Sequence, residues 1–166
     1  MDCWFVAFVR PHTERKAAEA LTALGVVNYL PIRAEWHQWS DRRKRVEVLL
    51  IPRHIFVRTD ERTRLRILSE VPEITAFMYD RGEKRPSVVR EVDMNAFIAL
   101  VERSGRKVEI SGKPLKPGDR VRVVSGQLIG VECERVTVSD RKCLAVGLGP
   151  LGNAAIELDN DTFEKI

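Results

Sequence analysis

The residues with the clearest chemical potential in this chain are basic. Between positions 33 and 66 there are ten Lys and Arg residues against five Asp and Glu, an excess larger than the net charge of +4 of the whole chain. The densest cluster is Arg42, Arg43, Lys44 and Arg45, and Asp41 is the only acid in the segment 41–45. Such a cluster binds phosphate groups or an acidic protein face; the alternative is a charged turn that discourages strand-edge aggregation. We favour a contact with DNA or RNA.

The patterns expected of an enzyme are absent from the sequence. It contains no HExxH, Walker loop, GxSxG or GxGxxG, and its three histidines fall in different predicted elements. Three cysteines without CxxC spacing indicate neither a disulfide framework nor a zinc site. We interpret Cys3 and Cys133 as buried hydrophobes, and an activated Cys143 thiol beside Lys142 is the less favoured alternative. We therefore expect no catalysis, no cofactor and no metal.

Length and composition favour a compact intracellular protein. The 166 residues are 44% hydrophobic, enough for a core, and no apolar run reaches the roughly 20 residues of a membrane helix. Asp2 stands where a signal peptide has a basic flank. We expect a cytoplasmic monomer without membrane contacts.

The first half of the chain alternates strand and helix patterns. The expected elements are a strand over 3–9, a helix over 13–25, a strand over 26–32, a β-hairpin over 35–51, a strand over 54–58, a helix over 60–69, a strand over 74–78 and a helix over 91–102. This order predicts an α+β fold, in which a four-stranded antiparallel sheet carries helices on one face in the ferredoxin-like arrangement. Thr13 and Asp60 are the predicted helix caps.

Two apolar pairs in this half carry specific expectations. Leu65 and Leu68 are expected to face the core from the second helix. Trp36 and Trp39, in the first arm of the hairpin, are expected to share one strand face and to pack on the domain rather than to stack on a base.

The last third of the chain has a different character. Residues 104–116 are polar and rich in Gly and Pro, which predicts a linker over 104–113 between domains at 1–103 and 114–166. Beyond it, short strand patterns at 120–124, 129–138, 142–148, 153–158 and 162–165 predict a small all-β barrel. Gly126 and Gly130 flank a tight turn that requires glycine.

The order of these motifs resembles a known family. The segment 117–136 resembles the KOW motif of nucleic-acid-associated proteins. The N-terminal features are Trp4-Phe5-Val6, Glu14 and Lys16 at the first helix, Pro31, the basic hairpin, and the strand Pro52–Arg58. Together they resemble the NusG family of transcription elongation factors, over nearly the whole chain.

The resemblance implies a protein without catalytic activity that binds RNA polymerase. An apolar patch of the N-terminal domain would contact the clamp helices of the largest polymerase subunit, with Phe56 and His54 on the matching strand and Phe8 and Tyr29 beside them. Arg62, Thr63 and Arg64 begin the helix that touches the opposite polymerase jaw in the family. For Phe56 the alternative is plain core packing, and for His54 it is a neutral, hydrogen-bonded strand histidine.

The resemblance also implies contacts with nucleic acid and a second protein. In specialised members such as RfaH the region of Arg10, His12, Arg15 and Lys16 faces the non-template DNA strand; an ordinary solvated helix face is the alternative. The hairpin cations 42–45 would contact DNA or nascent RNA. The KOW barrel, with its SH3-like fold, would bind Rho or a ribosomal protein. Its valine-rich strands predict a stable barrel rather than one that switches fold.

Four hypotheses for the biological role remain open. The arginine-rich hairpin favours an operon-specific antiterminator of the RfaH or UpxY type, acting on surface-polysaccharide operons. The KOW turn 126–130 lacks the Phe of general NusG proteins, which disfavours Rho binding and a housekeeping role. The other two are a ribosome- or RNA-associated KOW protein and an enzyme whose site is unrecognised.

Overall fold

The computed structural model describes every residue from Met1 to Ile166 and shows two compact units. The first consists of Met1–Asp2 and Val6–Phe77, and the second of Cys3–Phe5 and Met78–Ile166. The helices are α1 (Glu14–Ala23), α2 (Glu61–Glu70) and α3 (Glu91–Arg103). The strands are β1 (Cys3–Val9), β2 (Val27–Tyr29), β3 (Ile32–Gln38), β4 (Arg43–Leu49), β5 (His54–Thr59), β6 (Ile74–Phe77), β7 (Tyr79–Asp80), β8 (Arg85–Pro86), β9 (Val88–Val89), β10 (Glu109–Ser111), β11 (Asp119–Val123), β12 (Glu132–Val138), β13 (Arg141–Gly147), β14 (Asn153–Glu157) and β15 (Phe163–Lys165).

The sheet of the first unit has the predicted topology. Its main path has the strand order β2-β5-β1-β6, and the pairings of β2 with β5 and of β1 with β6 are antiparallel. The short strand β9 pairs with the start of β1 as a fifth strand, one more than predicted. Counted along the chain without the hairpin, this is the order second, third, first, fourth. The ferredoxin-like fold class is therefore confirmed.

The two helix caps of the first unit behave differently. Asp60 caps α2 as predicted, because its Oδ1 accepts a hydrogen bond from the Thr63 N–H at 2.7 Å. The prediction for Thr13 was wrong: its hydroxyl donates to the Arg10 carbonyl at 2.8 Å and makes no cap bond to α1. The chain turns sharply before α1, so the Thr13 side chain stabilises the turn instead of the helix.

The apolar face of α2 also differs from the prediction. Ile67 is the buried residue of this helix, whereas Leu65 and Leu68 are exposed. The guanidinium of Arg64 lies over the Phe77 ring, with Cζ 5.4 Å from the ring centroid. The guanidinium end of this arginine thus lies on apolar surface. The expectation that Leu65 and Leu68 face the core was wrong.

The second unit contains the all-β part of the chain. Six strands form one sheet in the order β10-β14-β13-β12-β11-β15. β10 lies within the predicted linker and pairs with β14, so residues 109–111 are part of the sheet. Gly126 and Gly130, at the β11–β12 turn, have φ of +84° and +86°. Because residues with a Cβ rarely adopt a positive φ, the prediction that this turn requires glycine is confirmed.

Helix α3 packs within the second unit. It lies against β12, β13 and β14, and it buries an apolar stripe that includes Met94, Phe97 and Leu100. The residues that repeat at helical spacing in the sequence are Met94, Phe97, Ile98 and Val101; the first two are buried and the other two are half-buried.

Cys133 and Cys143 are buried, whereas Cys3 is only half-buried, so the interpretation as a buried hydrophobe holds for Cys133 and not fully for Cys3. All three are free thiols, and burial raises the pKa of Cys133 to about 11. Burial also raises the pKa of Cys143, with Glu157 adding to the effect. A raised pKa disfavours the thiolate, so the structure gives no support to an activated Cys143.

An ion pair connects the start of the predicted linker to the C-terminal segment. The Arg106 guanidinium donates to Asp161 through both nitrogens, Nη1 to Oδ2 at 2.6 Å and Nη2 to Oδ1 at 2.9 Å. Nη1 also donates to the Glu157 carbonyl at 2.9 Å. The side chain of Asp161 is only 8% exposed. These hydrogen bonds hold the pKa of Asp161 below its ordinary value of 3.8.

This ion pair predicts a dependence of stability on pH. A carboxyl whose folded pKa is lowered stabilises the protein above its unfolded pKa, and this contribution is lost as the pH falls through the folded pKa. We expect the free energy of unfolding to fall with pH below 3.8 more steeply in the wild type than in Asp161→Asn. Urea denaturation at a series of pH values measures this dependence of the free energy of unfolding on pH. Asp140→Asn, at an exposed turn, is the control and should retain the wild-type slope; equal slopes for all three proteins would contradict the prediction.

No helix of the structure combines the length and the apolar character needed to cross a lipid bilayer.

Candidate functional site

An open cleft at one end of the first unit's sheet gathers several of the predicted site residues. It has a volume of about 450 Å³ and is lined by residues of the β1 end, the turn that follows it, the β5 start and β6. Phe8 and His54 form its apolar part, with ring centroids 5.1 Å apart at an angle of 54°. Arg10 and Arg53 lie at the rim with exposed side chains. The cleft therefore combines an aromatic floor with a positively charged edge.

Hydrogen bonds fix the geometry of this cleft. The Val9 N–H donates to the Arg53 carbonyl at 2.8 Å, and the Arg10 N–H donates to the Glu73 carbonyl at 2.9 Å. His54 Nδ1 lies 2.8 Å from the Pro52 carbonyl, to which it donates. In the neutral imidazole Nε2 is then an acceptor, available to a donor from a partner.

Two residues beside the cleft adopt left-handed backbone conformations. His12 has φ of +64° and Arg53 has φ of +67°. Residues other than glycine rarely take this conformation, and they do so mainly where the surrounding structure or a functional site demands it. Arg53 thereby places its side chain at the edge of the cleft, and His12 places its side chain at the adjacent turn.

Tyr29 and Phe56 lie opposite each other in the pairing of β2 with β5. Tyr29 is half-buried, whereas Phe56 is 0% exposed. Phe56 lies on the same strand face as His54, two residues along β5, and supports the sheet from within the core. A direct contact between Phe56 and a partner would require a change of conformation.

The residues at the start of α2 make contacts within the protein. Arg64 pairs with Glu61 and stacks over Phe77, and the Thr63 N–H is held by the Asp60 cap. Arg62 has an exposed side chain. The structure thus does not bring these residues into the cleft of Phe8 and His54.

The basic residues near α1 separate into two groups. Arg10 is part of the cleft, and His12 and Lys16 are exposed. Arg15 instead donates from Nη2 to Glu47 Oε2 at 2.7 Å, which links α1 to the hairpin strand β4. Part of the predicted nucleic-acid surface is therefore used for an internal ion pair.

The hairpin of β3 and β4 forms a separate two-stranded sheet. Its register runs from Ile32 opposite Leu49 to Gln38 opposite Arg43. The four cations at positions 42–45 are exposed, and none pairs with a carboxylate. The cluster that the sequence singled out is thus available to a partner.

The tryptophans of this hairpin do not pack on the domain. Trp36 is 58% exposed and Trp39 is 42% exposed. Arg43 lies over the Trp36 ring and Lys44 over the Trp39 ring. Arg43 and Lys44 are consecutive residues of β4 and point to opposite faces, so the two rings that they cover lie on opposite faces of the hairpin. Both expectations for this pair were wrong: side chains three residues apart do not share a strand face.

The β11–β12 turn of the second unit is hydrogen-bonded to a side chain of α3. Arg103 donates from Nε to the Gln127 carbonyl at 3.0 Å and from Nη2 to the Ile129 carbonyl at 3.1 Å. Ile129 is exposed at the tip of the turn, between Gly126 and Gly130. The turn therefore presents an apolar side chain on a rigid backbone.

Sequence reasoning missed Arg53, Arg103 and the exposure of the two hairpin tryptophans. Arg53 follows a proline in a loop, and no local pattern predicts its left-handed conformation. The placement of Trp36 and Trp39 on opposite faces of the hairpin could have been found by counting strand parity.

Comparison with known proteins identifies the family of this chain. The sequence model described as "Transcription termination factor nusG" matches residues 2–98, which is more than half of the chain. No curated protein sequence matches at a significant level.

Solved structures show similarity at low sequence identity. The structure described as "Domain interaction in Thermotoga maritima NusG" is 19% identical with a TM-score of 0.48, over 100% of this chain and 98% of that chain. The MjSpt4:Spt5 complex in conformation A is 8% identical with a TM-score of 0.32, over 98% of both chains. Conformation B is also 8% identical, with a TM-score of 0.33, over 98% of this chain and 97% of that chain. On the strength of the family match over residues 2–98, this chain belongs to the NusG family of transcription factors.

Proposed function

We propose that this protein is a non-catalytic elongation factor that binds RNA polymerase and promotes processive transcription. The observation that carries the proposal is the open cleft of Phe8 and His54 with Arg10 and Arg53 at its rim. Phe8 and His54 are half-buried, and an aromatic pair that is partly accessible in a concave surface is a typical anchor for a protein helix. The clamp helices of the largest polymerase subunit are the proposed occupant, and the rim arginines would pair with acidic side chains beside them.

The nucleic-acid contacts follow from the exposed cations of the same unit. Arg10, His12 and Lys16 face solvent beside the cleft, and residues 42–45 face solvent on the hairpin. A factor seated on polymerase close to DNA needs such charges, because phosphate neutralisation supplies much of the binding energy. We infer that these two groups contact the non-template strand, the upstream DNA or the transcript.

The second part of the chain is proposed to recruit another protein. In this division residues 1–103 bind polymerase and residues 114–166 present the KOW turn. Residues 104–113 lie between them and contribute β10 to the sheet of the second unit. The exposed Ile129 on the turn held by Arg103 supports an apolar contact at this point. Rho and a ribosomal protein are the proposed candidates for this partner.

We further propose an operon-specific antiterminator of surface-polysaccharide genes. Its support is the exposed hairpin with two tryptophans and four cations, together with a KOW turn that carries Ile129 and no phenylalanine. Transcription in vitro on a polysaccharide-operon template with a terminator tests this role. Increased read-through on this template and not on an unrelated template would support it, whereas equal effects on both would favour a housekeeping factor.

The double substitution Phe8→Ala/His54→Ala tests polymerase binding. We expect at least a tenfold loss of affinity for core RNA polymerase, because aromatic anchors commonly contribute about 2 kcal/mol or more. Co-purification and titration with core polymerase measure it. Phe56→Ala is unsuitable, because removing a fully buried Phe costs about 3–5 kcal/mol of stability.

The matched control is Tyr79→Ala, which removes an exposed aromatic residue of the second unit. It should bind polymerase like the wild type. Circular dichroism must show that the double variant is folded. A folded double variant with wild-type affinity would exclude the cleft as the polymerase site.

A further inference from the structure

The hairpin exposes two of the three tryptophans of the protein. Trp4 is 5% exposed, whereas Trp36 and Trp39 keep about half of their surface in solvent. Tryptophan is highly buried on average in folded proteins, whereas the ring contacts that the structure shows for Trp36 and Trp39 are with cations of the same hairpin. Exposed indoles on a projecting two-stranded sheet point to a partner that uses their flat faces.

Cations lie against each of the two rings. The Arg43 Cζ is 4.9 Å from the centroid of the Trp36 ring. The Trp39 ring has the Lys44 Nζ at 5.0 Å and the Arg42 Cζ at 5.4 Å. Cation–π attraction holds a ring and a charge together, so each indole is partly oriented before any ligand binds. A ligand suited to both groups has a flat ring next to a negative charge.

The two rings and their cations lie on opposite faces of the hairpin. On one face Trp36 has Arg45 directly across from it and Arg43 diagonal to it. On the other face Trp39 lies beside Lys44. A single flat ligand therefore cannot reach both rings, but a flexible chain that carries many rings and many charges can.

We propose that the β3–β4 hairpin binds single-stranded nucleic acid by stacking one unpaired base on Trp36 and another on Trp39, while residues 42–45 neutralise the flanking phosphates. A single strand exposes the ring faces of its unpaired bases and carries one phosphate charge per nucleotide. This matches the alternation of rings and cations on the hairpin. A duplex keeps its bases stacked and offers only its phosphates. The proposal rests on the proposed function, in which the hairpin is a nucleic-acid contact, and names the strand type and the side chains that read it.

Intrinsic fluorescence of the full-length protein tests the inference. Trp4 is buried, so quenching by a stacked base reports on Trp36 and Trp39. The probes are oligothymidylate and oligouridylate of about a dozen nucleotides and a DNA duplex of the same length, each titrated at roughly 50 and 200 mM salt. We expect quenching and tighter binding with the single strands and no quenching with the duplex.

Substitutions separate stacking from electrostatics. Trp36→Ala and Trp39→Ala should each weaken single-strand binding about fivefold or more, followed by anisotropy of a labelled oligonucleotide, with the salt dependence unchanged. Trp36→Phe and Trp39→Phe should keep much of the affinity, because phenylalanine also offers a ring face. Tyr79→Ala, an exposed aromatic of the second unit, should bind like the wild type.

The titrations and the variants distinguish stacking on the two tryptophans from binding by charge alone. Preference for thymidylate would identify the DNA strand and preference for uridylate the transcript, and both support stacking. Equal binding of duplex and single strand, or wild-type affinity in both alanine variants, would overturn the inference. Polymerase binding is measured separately, so the inference can fail while the cleft still binds core polymerase. Single-strand binding without polymerase binding would instead overturn the proposed function.

Discussion

Gly152→Ala is expected to lower the melting temperature of the second unit by roughly 10–20 °C, which corresponds to about 3 kcal/mol in a domain of this size. Gly152 has φ of +93°, and an added Cβ would lie 2.1 Å from the Ser111 carbonyl oxygen of β10. The positive φ costs any residue other than glycine about 1–3 kcal/mol of folding stability. The clash of the added Cβ with the backbone adds a similar amount. Thermal unfolding followed by circular dichroism measures the change.

Gly147→Ala is the matched control in the same sheet. No atom lies within 4 Å of its added methyl group, and its φ is outside the left-handed region. We expect a change within about 0.5 kcal/mol of the wild type. If Gly152→Ala had the same melting temperature as Gly147→Ala, β10 would not pack against the turn of Gly152. Residues 109–111 would then belong to the linker.

Reversal of the hairpin charge is expected to have the largest effect on function. The double substitution Arg42→Glu/Arg43→Glu replaces two exposed cations that no carboxylate engages. We expect affinity for a polymerase elongation complex to fall by about tenfold or more at low salt. The slope of log K against log salt should fall by roughly 1.5–2, because two phosphate contacts are lost. Titration of a reconstituted elongation complex at several salt concentrations measures both.

Lys113→Glu/Lys116→Glu changes the net charge by the same amount at two exposed lysines outside the hairpin. This control should lose less affinity and retain the slope of the wild type. Equal losses in the two double variants would show that the overall field, rather than the hairpin, attracts nucleic acid.

The sequence predicted the fold of the first unit because its signals are local. The alternation of strand and helix patterns over residues 3–78 determines a ferredoxin-like order, and the Asp60 cap follows from one residue type at a helix start. The turn glycines 126 and 130 were equally predictable, since a positive φ selects glycine.

Predictions about which side chains are exposed were less successful. Leu65 and Leu68 fit a helical stripe, but Arg64 covers Phe77 and leaves both leucines in solvent. Phe56 lies on the strand expected for partner binding, yet the sheet buries it completely. Exposure depends on what covers a residue, and the covering groups are distant in the sequence.

The sequence alone determined the family, the order of the elements and the position of the basic cluster, because motif order, hydrophobic period and charge are properties of consecutive residues. Only the tertiary structure decided that Phe8, His54 and Arg53 share a cleft, that Arg15 is engaged by Glu47, and that Trp36 and Trp39 face solvent on opposite sides. These features depend on contacts between strands and loops far apart in the chain, which no local pattern encodes.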